Sequence, residues 1–495
     1  MRALFGLAAL AAVLLLGACA GRTDTVAARP ARQPNIIVIL ADDLGYGDLS
    51  TYGGWIPTPH ITALAASGAR FTDGYVSAAV CAPSRAALLA GRPQTRFGFE
   101  FNPVGRDAAS GMSRSETILP EVMKRAGYAT GMVGKWHIGS GPGFHPLDRG
   151  FDSYFGTLGG ATDFWVEQGP GDLFAPIGGD ELTARARMPV VRGRAVIEEK
   201  RYLTEAFTDE AVAFIDANRD RPFFLYLAHT APHTPLQATA RYVDRFPEIK
   251  DPHRRAYAAM VSALDDSVGR LVAELKARGL QQDTIIVFLS DNGCANYVRG
   301  ACTNAPLAGA KGMYWEGGIR VPFILWAPGR VSPGQVISTP VSSLDLMVTA
   351  ARAGGAPPPA AAEGSDLMAL LKLPGRAPDR ALFWRSGPNH AVREGRWKLI
   401  VVNRTDRVDG PEGVYGAPTP DGTPAVVSPL GQHVLLYDLA ADPGETRNLA
   451  GRHPEVVKRL SEMFKAWDAR NVPPIWTSRR QFRTEVNGNK VHLYN

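Results

Sequence analysis

Cysteine is scarce in this chain: four occur in 495 residues, at positions 19, 81, 294 and 302. They make no His/Cys cluster of the kind that holds zinc, so no zinc centre is expected. Charge of one sign is also lacking, with 54 Lys and Arg against 48 Asp and Glu and a net charge of +6. There is no Lys/Arg run and no nucleic-acid motif, which argues against a nucleic-acid partner. The small excess is compatible with steering an anionic substrate. The apolar run from Ala3 to Leu16 is too short and too rich in small residues to favour a membrane-spanning helix. What remains, 45% hydrophobic and 21% charged, is ordinary globular composition. The length suits one large α/β domain and a smaller companion.

The N-terminus reads as an export signal over residues 1–18, with Arg2 ahead of the apolar run. Leu16-Gly17-Ala18-Cys19 resembles the lipobox of bacterial lipoproteins, in which Cys19 is lipidated and anchors the chain to the membrane. An ordinary secretory signal ending nearby is the alternative. Ala20 resembles outer-membrane sorting, and residues 19–33 read as a flexible tether. The expected location is outside the cytoplasm, on the outer membrane or facing the periplasm of a Gram-negative-type bacterium.

Cys81-Ala82-Pro83-Ser84-Arg85 reads as a helix start, with Pro83 at the first helical position and Gly91 at the stop. A thiol placed there is expected to have a lowered pKa, because the helix dipole favours an anion. A small buried residue at a strand–helix junction is the plain alternative. Cys294 and Cys302 are eight positions apart in a Gly/Asn-bearing loop. Both a local bridge and two thiols are open readings.

Four apolar runs, two of them rich in β-branched residues, end in chemistry. Residues 35–40 (NIIVIL) lead into Asp42 and Asp43, and residues 284–289 (TIIVFL) into Asp291 and Asn292. Residues 128–133 lead into Lys135 and His137, and residues 223–228 (FFLYLA) into His229 and His233. Such runs suit strands buried on both faces of a parallel sheet. Their C-terminal ends would then share one rim, where open α/β sheets bind ligands. Adjacent carboxylates repel unless a cation lies between them, and oxygen-only donors favour Ca²⁺ or Mg²⁺. A polar turn with Asp as a helix cap is the plain alternative.

These motifs resemble the formylglycine-dependent sulfatases, of the arylsulfatase and N-acetylgalactosamine-sulfatase kind. Cys81 to Arg92 is similar to the signature C-x-P-S-R-x-x-x-L-T-G-R, with Ala90 in place of Thr. Gly127 to Gly139 is similar to G-Y-x-T-G-x-x-G-K-W-H-x-G, Lys311 to Pro322 to K-x-x-x-W-E-G-G-x-R-V-P, and the H-x-P-L-Q pattern selects His233 over His229.

The resemblance implies the alkaline-phosphatase-like α/β fold, a large mixed sheet flanked by helices. It implies a catalytic domain over residues 34–375 and an α+β subdomain over 376–495, with four antiparallel strands and a terminal helix. Cys81 would become formylglycine (3-oxoalanine) through a maturation enzyme. Asp42, Asp43, Asp291 and Asn292, with the modified Cys81, would hold Ca²⁺, Mg²⁺ being the alternative. Lys135, Lys311 and His233 would contact the sulfate, and His137 would be the base. Arg85 would hold the nucleophile and metal geometry, and either His233 or Lys311 would protonate the leaving group.

The implied activity is hydrolysis of a sulfated small molecule or glycan. The irregular stretch from Ser140 to Glu199 is expected to shape the substrate pocket. A phosphodiesterase or phosphonate monoester hydrolase using the same modified Cys is the nearest rival. A non-catalytic binder of sulfated glycans is a reading of another class.

Overall fold

The computed structural model describes residues 33–103, 110–177, 188–298, 300–372, 380–408, 431–478 and 481–494. The signal peptide, Cys19 and the tether up to residue 32 lie outside the described residues. Four strands form the centre of a ten-stranded sheet: β1 (Asn35–Ala41), β2 (Ala129–Lys135), β3 (Phe223–Ala228) and β4 (Thr284–Ser290). They run parallel in the order β4-β1-β3-β2.

Alternation along β1 explains why these runs are apolar throughout. Ile37 and Ile39 face one core, packed with Phe207 and Ile215 of α2 (Leu203–Asn218) and Leu264 and Leu271 of α3 (Pro252–Ala277). Ile36, Val38 and Leu40 face a second core, with Leu88 and Leu89 of α1 (Cys81–Ala90) and Met347 of α4 (Asp345–Ala353). Helices on both faces leave no wet side, so a period-two pattern has nothing to select it. The stripe from Tyr257 to Leu275 is buried core of α3, whose N-cap Asp251 accepts from Arg254 N–H at 2.8 Å.

Register brings the chemistry together. Ala41 is level with Ser290, so Asp42 and Asp291 emerge side by side, and Asp291 N–H donates to Ala41 O at 3.1 Å. Leu40 is level with Ala228, and Gly134 with Ala228, which carries Lys135 to the same rim.

Two expectations need correction. The stretch from 140 to 199 is not wholly irregular: Ser153–Thr157 joins the sheet parallel to β2, and Val190–Arg192 and Ala195–Ile197 extend its edge. Gly156 permits that pairing, since a Cβ there would lie 1.9 Å from Gly134 O. In the C-terminal part, the strands Ala381–Ser386, Asn389–Glu394, Trp397–Arg404 and Gln432–Asp438 precede helix α5 (Pro454–Asp468). The helix is not last, because a further hairpin, Gln481–Val486 with Asn489–Tyr494, follows and completes a six-stranded antiparallel sheet. One face of that sheet packs on Tyr75, Trp315 and Ile319, next to the rim of the large sheet. Among the described residues no helix is long and apolar enough to cross a membrane.

Candidate active site

Helix α1 begins at Cys81, two residues earlier than Pro83 suggests. Proline is tolerated at the third position because the N–H groups of the first turn have no intrahelical acceptor. Gly91 closes the helix at φ 66°, as expected. Ala90, where the sulfatase signature has Thr, is buried in the apolar core.

Cys81 is a buried free thiol whose Sγ lies 3.9 Å from Asp43 Oδ1. The expectation of a lowered pKa is wrong here. Burial pushes the thiol up to about 12, and the attraction of Lys135 and Lys311 does not offset it.

The charged residues interlock below it. Lys135 Nζ lies 2.6 Å from Asp42 Oδ2, and Lys311 Nζ 2.8 Å from Asp43. Arg85 Nε donates to Asp291 Oδ2 at 2.9 Å, and its NH1 donates to Lys135 O at 2.9 Å. Asn292 Nδ2 donates to Asp43 Oδ1 at 2.7 Å. His233 faces Asp43 Oδ2 at 3.6 Å through Nε2, while its Nδ1 is 2.7 Å from Thr234 O, which makes Nδ1 the donor. Burial pushes His233 down to about 3, and Asp43 pulls the other way without prevailing. His137 is held well below the usual histidine range by burial and by Lys135 and Arg85. Its Nδ1 has no hydrogen-bond partner among the described residues, and Gly160 leaves room for its ring. Asp43 and His137 both hold left-handed backbone, at φ 65° and 63°, a strained conformation for non-glycine residues.

Every sequence-selected site residue therefore reaches one rim, with one difference in grouping. Asp42, Asp43, Cys81 and His233 offer atoms within 4.8 Å of one another, whereas Asp291 turns to Arg85. The oxygen donors here, from Asp42, Asp43 and Asn292, fit a hard cation. Asp42 Oδ1 and Asn292 Oδ1 are buried and accept no hydrogen bond among the described residues, an expense normally met by a ligand. Sequence reasoning missed Tyr297, whose OH donates to Asp43 Oδ2 at 3.0 Å, and Asn102, whose Oδ1 accepts from Ala82 N–H at 3.0 Å. His229 is buried away from this cluster, its Nε2 3.1 Å from Ser267 Oγ. Cys294 and Cys302 are bridged, with Cα atoms 6.0 Å apart.

Comparison with known proteins gives the family. Residues 34–356 match the Sulfatase family model. Human arylsulfatase A is 36% identical over 470 residues, covering 88% of this chain and 87% of the relative. Human N-acetylgalactosamine-6-sulfatase is 34% identical over 462 residues, covering 87% and 84%. A crystal structure of Ps i-CgsB in complex with k-i-k-neocarrahexaose superposes with a TM-score of 0.77 at 33% identity, covering 90% of this chain and 95% of that one. With its strands ending on the rim that carries these residues, the chain belongs to the sulfatase family and is a sulfuric ester hydrolase.

Proposed function

We propose that the enzyme removes sulfate from a sulfated carbohydrate, using formylglycine made from Cys81 and a divalent cation, Ca²⁺ or Mg²⁺, held by Asp42, Asp43, Asp291 and Asn292. The observation that carries this reading is the charge balance. Asp42, Asp43 and Asp291 stand against Arg85, Lys135 and Lys311, three carboxylates to three cations. A divalent cation would leave the site at about +2, which suits a sulfate monoester together with an anionic nucleophile.

When bound, the cation and the hydrated aldehyde would supply a Lewis acid and an acidified oxygen nucleophile. The chain's own residues do the rest. Lys135 and Lys311 leave their carboxylate partners for the sulfuryl oxygens. Lys311 Nζ and His233 Nε2 flank Asp43 and are the two candidates to protonate the departing alcohol, His233 only after the bound sulfate ester has drawn a proton onto Nε2. His137, with one ring nitrogen unpartnered, takes the proton released when sulfate leaves. Arg85 holds Asp291 and the end of β2 in place.

A glycan substrate is supported by the k-i-k-neocarrahexaose complex of the structural neighbour, and its sulfation by the name of the relative N-acetylgalactosamine-6-sulfatase. Location outside the cytoplasm, anchored through Cys19, is proposed from the sequence alone.

The test is a panel of defined sulfated sugars, aryl sulfates and phosphate esters on protein made with the maturation enzyme. Chelation followed by Ca²⁺ or Mg²⁺ should abolish and then restore turnover. The Cys81 peptide should lose sulfur and gain an aldehyde by mass spectrometry. Faster turnover of phosphate esters, or full activity in metal-free protein, overturns the reading.

A further inference from the structure

We infer that Tyr297 is a positioning residue for the reaction, and that the Cys294–Cys302 bridge holds it in place. The inference rests on the reading of Asp43 as a metal-holding carboxylate.

Tyr297 lies on a short turn, Asn296–Val298, inside the bridged loop, and is nearly buried. Its OH donates to Asp43 Oδ2 at 3.0 Å, while Lys311 Nζ sits 5.9 Å from the centre of its ring. Asp43 is thus gripped at both oxygens, by Tyr297 at Oδ2, by Asn292 at Oδ1 and by Lys311, whose Nζ lies 2.8 Å from each. Three donors fix the plane of a carboxylate that one alone would leave free to rotate. Lys311 has to reach sulfate during turnover, whereas the phenol is not needed there. Tyr297 is therefore the grip that persists on Oδ2.

The bridge ties this loop to both of its neighbours. Cys294 O accepts from Lys311 N–H at 3.0 Å, and Cys294 N–H donates to Asn304 Oδ1 at 2.9 Å. Thr303, next to Cys302, donates its N–H to Asp48 Oδ1 at 2.9 Å and accepts from Gly47 N–H at 3.0 Å. The loop bearing Tyr297 is stapled between the Lys311 segment and the turn that follows Asp43. Opening the staple frees Tyr297 without removing any metal-holding or sulfate-contacting residue.

The experiment compares wild type, Tyr297→Phe and the double variant Cys294→Ala/Cys302→Ala. Ca²⁺ affinity is read by calorimetry on metal-stripped protein, and kcat and KM on a sulfated sugar or aryl sulfate. Tyr297→Phe keeps the ring and the fold, checked by its melting curve. It should weaken Ca²⁺ binding by about tenfold and lower kcat by about tenfold, because a hydrogen bond to a charged acceptor is lost. KM should change by less than about threefold, since the sulfate contacts remain. The double variant should shift both readouts in the same direction. Tris(carboxyethyl)phosphine should do so in wild type, and should have no further effect on the double variant.

Wild-type Ca²⁺ affinity and kcat in Tyr297→Phe overturn the inference while leaving the sulfatase reading intact. Metal-independent turnover by wild type overturns the metal reading and the inference with it. A loss confined to melting temperature, with both readouts unchanged, reduces Tyr297 to a packing residue and also overturns it.

Discussion

Arg85 and Asp291 meet at 2.7 Å with neither side chain exposed, although 206 residues separate them in sequence. The pair joins helix α1, which carries Cys81, to the end of β4. Asp42 lies 3.5 Å from the same guanidinium. Arg85→Met would leave two buried carboxylates facing each other, and removing one partner of a buried pair typically costs about 3–5 kcal/mol. We expect denaturant unfolding of metal-free Arg85→Met to show a loss of that size. Saturating Ca²⁺ should recover part of it by replacing the missing positive charge. An unchanged midpoint would refute this.

The thiol of Cys81 gives a second expectation. Pushed up to about 12 by burial, it is protonated and inert at ordinary pH. Native protein made without the maturation enzyme should resist alkylation at Cys81 at pH 8 and react after unfolding. It should also be inactive. Active protein carrying an intact thiol at position 81 would falsify the proposed formylglycine nucleophile.

The four central strands were legible because burial on both faces makes the run itself the signal, and each run ends where a donor is needed. The hairpin after α5 was less visible. Its turn, Asn487-Gly488, has both residues left-handed, at φ 47° and 78°, as an Asn-Gly hairpin requires. Its strands, QFRTEV and NKVHLY, are too polar to stand out. Ser153–Thr157 is a strand only because β2 offers it a glycine-lined edge, which no local window contains. Tyr297 had no signal at all, because its partner Asp43 is 254 residues away. The thiol was misjudged for a related reason: a helix start is local, and the burial that outweighs its dipole is not.

Acid sensitivity should come in part from His229. Burial alone pushes it from 6.5 down to about 3, so in the folded protein it stays neutral where the unfolded chain takes up a proton. A lowered histidine contributes stability that is complete above about pH 6.5 and lost as pH falls toward 3. His229→Asn removes that proton from the balance. It should flatten the fall of stability below pH 6.5 by up to about 1.4 kcal/mol per pH unit. Equal slopes for the two proteins would refute this, and urea titrations at pH 7.5, 6 and 5 decide it.

The last prediction concerns the ion network joining the two sheets. Lys398, in the strand Trp397–Arg404, lies 2.8 Å from Glu316 and 2.9 Å from Glu445, and all three side chains are buried. Glu445 also accepts the Glu316 N–H at 2.6 Å, which fastens the segment that begins at Lys311 to the smaller sheet. One lysine cannot balance two buried carboxylates. Glu316, further supported by Arg320 and Tyr75 OH, is the one that stays ionised, and burial pushes Glu445 up to about 7. A raised carboxyl favours the fold while protonated, so its contribution is present below about pH 4.5 and lost as pH rises through 7. The two ends of the ion pair should therefore respond differently. Lys398→Met strands a charge and should cost about 3–5 kcal/mol at any pH above 5. Glu445→Gln keeps an acceptor for the Glu316 N–H and carries no charge, so it should be near neutral at pH 5 and gain on wild type at pH 8. Parallel pH dependence of the two proteins between pH 5 and 8 would refute this, because it would mean that wild type carries no raised carboxyl in the pair.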